Sequence, residues 1–385
     1  MLNFDFYNPT HILFGQQRIA DINKHIPPQA KVLLLYGGGS IKATGTLKEV
    51  LAALGERQVV EFGGIEPNPS YETLMQAVAI VKEKQIDFLL AVGGGSVIDG
   101  TKFVAAASMC DDDALHILKT RGASIKGALP IGVVLTLSAT GSEMNNGGVV
   151  TQKSTQTKSA FFSRHTFPQF AVLDPTKTYT LPTRQIANGV VDAFVHVIEQ
   201  YLTYPVNADV QDRFAEGLLL TLIELGEKSL HNPQDYDLRA NLMWVATLAL
   251  NGLIGAGVPQ DWSTHMIGHE LTALYNIDHA RTLAIVLPAM LTVRQEAKRE
   301  KLLQYAQRVW HINEGDEQQR IELAISKTRD FFERLGVDTK LSAYNLDASD
   351  VEKVLAQLQA HKMTALGEKR EITLEVSRQV LTHCL

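Results

Sequence analysis

The sequence predicts an α/β half built on a mostly parallel sheet, followed by an all-α half. Three observations carry this. Short apolar runs alternate with amphipathic stretches as far as Leu173, the pattern of consecutive βαβ units. The tetrapeptide GGGS follows a strong strand signal twice, at Gly37–Ser40 and Gly93–Ser96. After Leu181-Pro182 the apolar residues fall almost entirely at helical spacing. The boundary lies near residue 183, giving domains 1–183 and 184–385.

In chain order, Lys31–Tyr36 (KVLLLY) and Gln58–Phe62 read as strands. Tyr71–Gln85 is a helix with Leu74, Ala77, Val78 and Val81 on one stripe. Asp87–Val92, Leu129–Leu137 and Phe170–Leu173 are further strands, and Gly147–Thr151 with Lys158–Phe162 forms a hairpin at the sheet's edge. Helices follow at Ile186–Leu202, Asp209–Leu230, Ala240–Leu253, Trp262–Leu274, Leu302–Val309, Gln319–Leu335 and Ser349–Gln359.

Composition narrows the function. With 385 residues, 45% of them hydrophobic and 20% charged, the chain can bury a substantial core and is unsuited to disorder. Its 36 basic and 42 acidic residues give a net charge of −6, against nucleic acid as a partner. There is no Lys/Arg run suited to an anionic membrane. The longest apolar stretch, Leu283–Val293, is broken by Pro288 and falls short of the roughly 20 residues of a membrane span. The N-terminus lacks a basic, then apolar, leader. Cys110 and Cys384 form no disulfide framework, which points to the reducing cytoplasm.

A glycine turn at the end of a strand lets a phosphate approach the backbone, where N–H groups and the next helix dipole hold its charge. One such turn is equally a tight βα connection that binds nothing. Two at equivalent strand ends favour a nucleotide, although neither matches G-x-G-x-x-G. A third polar cluster, Thr136, Ser138, Thr140, Ser142 and Glu143 around Gly141, suits a phosphate, a ribose or a nicotinamide amide, or simply caps a short helix.

The helical half carries Asp192 and His196 at i, i+4, then His265 and His269 at the same spacing, then His279 after a turn. Carboxylate and imidazole together suit a borderline divalent ion such as Fe²⁺ or Zn²⁺. Met266 follows His265, so the H-E-x-x-H helix of zinc proteases is missing. Spacing leaves open which of His265 and His269 would be the ligand. His231, beside Asn232-Pro233, reads as a helix-end residue.

These segments resemble the iron-containing (group III) alcohol dehydrogenases, nearest to their NADPH-dependent aldehyde reductase and butanol dehydrogenase branch. The likeness runs through NPTHILFG (Asn8–Gly15), IEPNPS (Ile65–Ser70), AVGGGSVIDGTKF (Ala91–Phe103), TLSATGSE (Thr136–Glu143), ANGVVDAFVHVIEQ (Ala187–Gln200) and GVPQDWSTHMIGHELTALYNIDHA (Gly257–Ala280). The resemblance implies that Asp192, His196, His265 and His279 ligate one divalent metal, Fe²⁺ or Zn²⁺. It implies that His269 acts near the nicotinamide without ligating. It places NADPH or NADP on Gly37, Gly38, Gly39, Ser40, Lys42, Asn68, Gly94, Gly95, Ser96, Asp99, Thr136, Thr140, Ser142 and Lys158. Where members of this family select NADH, an Asp in the first glycine turn resembles the selective group. Here Gly39 stands there, with Ser40 and Lys42 beside it, so NADPH is expected. A cytoplasmic homodimer is also implied.

The expected activity is metal-assisted hydride transfer between NADPH and a small aldehyde or alcohol. A sugar-phosphate lyase of the dehydroquinate-synthase type would need several bases around the metal. Ile186–Gln200 offers none beyond its own histidine. A non-catalytic nucleotide-binding regulator would not need intact ligand positions beside intact glycine turns.

Overall fold

The structure, a computed structural model, describes residues 1–110 and 113–385. It comprises two compact units. One gathers Tyr7–Leu181 and Pro233–Thr247; the other gathers Met1–Phe6, Pro182–Asn232 and Leu248–Leu385. The second stretch of the first unit departs from a simple cut at 183. Arg239 is buried there, its guanidinium donating to the hydroxyl and carbonyl of Thr178, and the Thr247 hydroxyl donates to Glu143.

The first unit contains strands β1 (His11–Phe14), β2 (Lys31–Tyr36), β3 (Gln58–Phe62), β4 (Phe88–Gly93), β5 (Ile131–Leu135), β6 (Gly147–Gln152), β7 (Thr157–Phe162) and β8 (Phe170–Leu173). Its helices are α1 (Ser40–Ala43), α2 (Thr46–Leu54), α3 (Tyr71–Lys84), α4 (Gly95–Ser108) and α5 (Leu115–Lys119). Six strands form one sheet in the order β1-β8-β5-β4-β2-β3, every pair parallel. Leu34 pairs with Leu90, and Leu90 with Gly132. KVLLLY is an unbroken apolar run because both sheet faces are covered. Leu33, Leu35, Leu89 and Val133 pack with Leu74, Val78 and Phe103 on one side. Val32, Leu34, Leu90 and Val134 pack with Ile22, Val50 and Leu54 on the other.

Two expectations change here. The hairpin β6–β7 is a separate two-stranded sheet rather than the edge of the main one. Its backbone is taken up by α4: the Val149 N–H donates to Asp99 at 2.9 Å, and Lys102 donates to the Gly147 carbonyl at 2.7 Å. The edges of the main sheet are β3 and β1, the latter four residues (HILF) paired with β8. A run that short carries too little pattern to be read as a strand.

In the helical unit lie α6 (Thr183–Tyr201) and α7 (Asp209–His231). The chain then passes through α8 (Tyr236–Ala249), most of which belongs to the sheet unit. There follow α9 (Ser263–Tyr275), α10 (His279–Val293), α11 (Arg299–Arg308), α12 (Glu317–Arg334), α13 (Ala348–Ala360) and α14 (Leu374–His383). A two-residue pair, β9 (Ala365–Leu366) with β10 (Ile372–Thr373), interrupts the helices. Leu283–Val293, read as a broken apolar stretch, lies in α10 with Pro288 inside it. The helix is buried almost all round, and tertiary packing overrides the proline's local cost.

Candidate functional site

Asp192, His196 and Glu199 fall at i, i+4 and i+7 on α6, one face of the helix. His265 and His269 repeat the i, i+4 spacing on α9, and His279 is the first residue of α10. The start of α10 is fastened to α6 through Asp278, whose carboxylate accepts from Arg184 and Asn188 at 2.8 Å each. Burial works to raise that carboxyl's pKa, but these two partners hold it below its usual range.

Among the described residues, one group of metal-ligating side chains converges: the ligating atoms of Asp192, His265 and His279 all lie within 4.8 Å of one another. His196 adjoins this group, with Nε2 3.6 Å from Asp192 Oδ1 and its ring stacked on that of His265 at 4.8 Å. His279 Nε2 is 3.8 Å from the same oxygen. Asp192 Oδ1 is buried and accepts no hydrogen bond among the described residues. A buried carboxylate oxygen in that state costs free energy unless a cation answers it. One carboxylate with imidazoles is the donor set of Fe²⁺ or Zn²⁺, so these residues fit the ion that the sequence implied. Burial lowers the His196 pKa to about 4, which keeps its imidazole neutral, the form a metal requires.

His269 is buried in the same cluster. Its ring centroid is 5.0 Å from that of His279 and 6.3 Å from that of His265. Trp262, held at φ 62°, sets its ring edge-on to His265 at 5.2 Å. Glu199 is a residue that sequence reasoning passed over. Its carboxylate contacts His265 Nδ1 and accepts the Thr264 N–H at 2.7 Å and the His265 N–H at 3.3 Å. Its signal was available, since an acid seven residues after Asp192 must share its helix face.

In the sheet unit, Gly37–Ser40 follows β2, Gly94–Ser96 follows β4, and Thr136–Ser142 follows β5. These strands are neighbours and parallel, so all three turns lie on one carboxyl edge. The chain runs outward from β2 to β3 on one side, then to β4, β5 and β8 on the other. The reversal falls between β2 and β4, where both GGGS turns sit, and such a switch point is where open α/β sheets bind ligands. Gly39 has φ 99°, and a Cβ there would meet open space. Gly95 is required by packing, because a Cβ would lie 2.5 Å from Thr140 Oγ1.

The remaining expected cofactor residues fall into two chains of contacts. Lys158 donates to Asn68 Oδ1 at 3.0 Å, and the Asn68 N–H to Ser96 Oγ at 3.3 Å. The Ser142 hydroxyl donates to Asp99 at 2.5 Å, and its N–H to Thr140 Oγ1 at 3.2 Å. Both Asp99 oxygens are therefore engaged within the protein. Burial pushes the Asp99 pKa up, and buried Lys102, which donates to Ser142 and Asn145, comes down to about 8 for the same reason. Lys42 is exposed, 3.9 Å from Glu61 and over the Tyr36 ring. The cation read beside the first turn thus comes with a carboxylate that lies 19 positions further along the chain.

Residues 9–175 match the family model for iron-containing alcohol dehydrogenase, and residues 186–384 match the C-terminal model of the Fe-containing alcohol dehydrogenase family. The chain is 61% identical over 382 residues, 99% of each chain, to the NADPH-dependent aldehyde reductase YqhD of Escherichia coli. It is 41% identical over 367 residues, 94% of each chain, to probable NADH-dependent butanol dehydrogenase 1 of Bacillus subtilis. Among solved structures, E. coli YqhD matches with a TM-score of 0.99 at 60% identity, covering 100% of this chain and 99% of that one. NADH-dependent butanol dehydrogenase A of Thermotoga maritima matches with a TM-score of 0.95 at 34% identity, over 100% and 99%.

Proposed function

The chain belongs to the iron-containing alcohol dehydrogenase family, and from that premise we propose that it is an NADPH-dependent aldehyde reductase. It converts small aldehydes to primary alcohols and runs the reverse reaction. The observation that carries this reading is the convergence of Asp192, His265 and His279, supported by the 61% identity to an NADPH-dependent aldehyde reductase.

Asp192, His265 and His279 would hold the metal, with His196 completing the set from its place 3.6 Å from Asp192. A divalent metal held there supplies a Lewis acid for the carbonyl oxygen, and NADPH supplies the hydride. His269, beside the His279 ring, would orient groups on the nicotinamide side of the site or move a proton to the product oxygen. The burial of this cluster keeps water from the carbonyl and strengthens the electrostatics. In the sheet unit, the backbone of Gly37–Ser40 and Gly94–Ser96 would hold the phosphates. Asn68, Ser96 and Lys158, joined in one polar chain, would add hydrogen bonds to the dinucleotide. Gly39 leaves open space beside it, where Ser40 and Lys42 would hold a 2′-phosphate. Residues 1–183 thus serve the dinucleotide and 184–385 the metal. The protein works as a homodimer in the cytoplasm; among the described residues, no helix is long and apolar enough to cross a membrane.

The test is NADPH oxidation by purified protein, stripped of metal and then reloaded with Fe²⁺ or Zn²⁺, over a panel of aldehydes. Aldehyde-dependent oxidation that returns only with metal is expected. Metal-independent turnover, or no turnover with any aldehyde, would overturn the reading.

A further inference from the structure

Resting on the metal reading above, we propose that Glu199 is the positioning residue of the histidine group. It grips the His265 ring by Nδ1 and so makes Nε2 the ligating nitrogen, and a buried ion cluster behind it holds Glu199 in place.

Glu199 is 3% exposed. Its Oε1 accepts the Thr264 N–H, and its Oε2 accepts the His265 N–H and meets His265 Nδ1. All three contacts belong to the first turn of α9. The carboxylate therefore satisfies backbone donors that a helix N-terminus leaves open while fixing the ring of the same turn. Both oxygens already accept backbone N–H groups, so the carboxylate meets Nδ1 as an acceptor and Nδ1 carries the proton. The neutral ring then offers its lone pair at Nε2.

What lies behind Glu199 is fixed as well. Its backbone carbonyl accepts the Asp261 N–H at 2.9 Å. Asp261 Oδ1 accepts the Ser263 N–H at 3.1 Å, and its Oδ2 lies 2.7 Å from Lys298 Nζ. Lys298, 6% exposed, also donates to the Leu202 carbonyl at 2.6 Å and lies 3.1 Å from Glu368. One buried ammonium thus ties the end of α6 to the start of α9. The ring is held by the protein's own groups, the arrangement that fixes tautomer and orientation in histidine metal sites. A role confined to capping α9 would use the two backbone N–H groups and leave Nδ1 aside.

Glu199→Gln separates the two roles. Both oxygens now receive N–H donors, so an amide NH₂ would confront one of them. Metal-stripped full-length protein is titrated with Zn²⁺ against a competing chelator. Glu199→Gln should lose about 10- to 100-fold in Zn²⁺ affinity, with NADPH binding, followed by its fluorescence, unchanged. His279→Ala is run beside it. Wild-type Zn²⁺ affinity in Glu199→Gln with a loss in His279→Ala would overturn the positioning role alone. If neither variant moved, the metal reading itself would fall. Should Glu199→Gln not fold, the ring nitrogens of His265 in Zn²⁺-loaded wild-type protein decide. A protonated Nδ1 with metal-bound Nε2 is expected, and the opposite assignment overturns the proposal.

Discussion

The histidine group of the helical unit is assembled from side chains on three helices, α6, α9 and α10, and is mostly buried. The turns of the sheet unit offer backbone at three neighbouring strand ends; Gly37–Ser40 is half-buried to exposed, while Gly93–Ser96 and Thr136–Ser142 are half-buried to buried. The first kind of site depends on each ligand's identity, because removing one leaves a buried charge and its partners unanswered. The second depends on sheet topology and on the absence of side chains. A single residue there shifts affinity without abolishing the site. That difference sets the size of effect expected on each side.

The largest effect belongs to the ligands. His265→Ala or His279→Ala should strip the protein of most bound metal and lower aldehyde reduction by at least about 100-fold, the scale of lost oxyanion stabilisation. NADPH binding should persist, since the turns of the sheet unit are untouched. Metal analysis beside steady-state rates checks this; full metal content in purified His279→Ala would refute the ligand assignment.

Next comes His269, in the same cluster but outside the converging group. His269→Ala should lower kcat by roughly 10²-fold, a proton-transfer scale, while metal content stays close to wild type. A variant that emerges metal-free would make His269 a ligand. Normal turnover with reduced thermal stability would make it a packing residue.

The glycine turns should respond more gently. Wild-type protein should prefer NADPH, and Gly39→Asp should shift kcat/KM toward NADH by about 10- to 100-fold. Because Gly39 sits at φ 99°, any side chain there is strained. Gly39→Ala is therefore the matched control, carrying the strain without the charge. An equal shift in both variants would mean that geometry, not charge, sets the preference. Glu61→Gln, which frees Lys42 from its carboxylate, should strengthen NADPH binding modestly.

The smallest effect concerns stability beside those turns. Burial acts to raise the Glu66 pKa, but Lys153 at 2.8 Å and the Ser70 hydroxyl outweigh it and hold it at about 2, below the ordinary 4.5. A depressed folded pKa stabilises above the unfolded value and loses that stabilisation as pH falls toward the folded one. The contribution should be complete above about pH 4.5 and fade toward pH 2. Glu66→Gln should cost no more than about 1 kcal/mol at neutral pH, because Lys153 is exposed and the pair is screened, and should flatten the acid limb in denaturant titrations. An unchanged acid limb would count against the pairing.

Much of this was legible beforehand. KVLLLY and DFLLAV had to be strands with both faces covered, and the glycines after them had to be turns. Asp192 with His196, and His265 with His269, had to share helix faces, because 3.6 residues make a turn whatever surrounds it. Residue pattern alone therefore fixed the two-part architecture and the candidate ligands. Their roles came from the family resemblance, since spacing could not separate His265 from His269.

Tertiary structure decided the rest. It placed both GGGS turns at the sheet's switch point, which depends on strand order and not on any local signal. It seated the hairpin on α4, because Asp99 and Lys102 take up its backbone. It set Glu61 against Lys42 and Glu199 against His265. It left His196 beside the converging group rather than inside it. Periodicity is a property of the backbone and is written locally. Which side chains meet depends on how distant elements pack, and contacts such as Lys298 with Asp261 and Glu368 join residues that no local spacing relates.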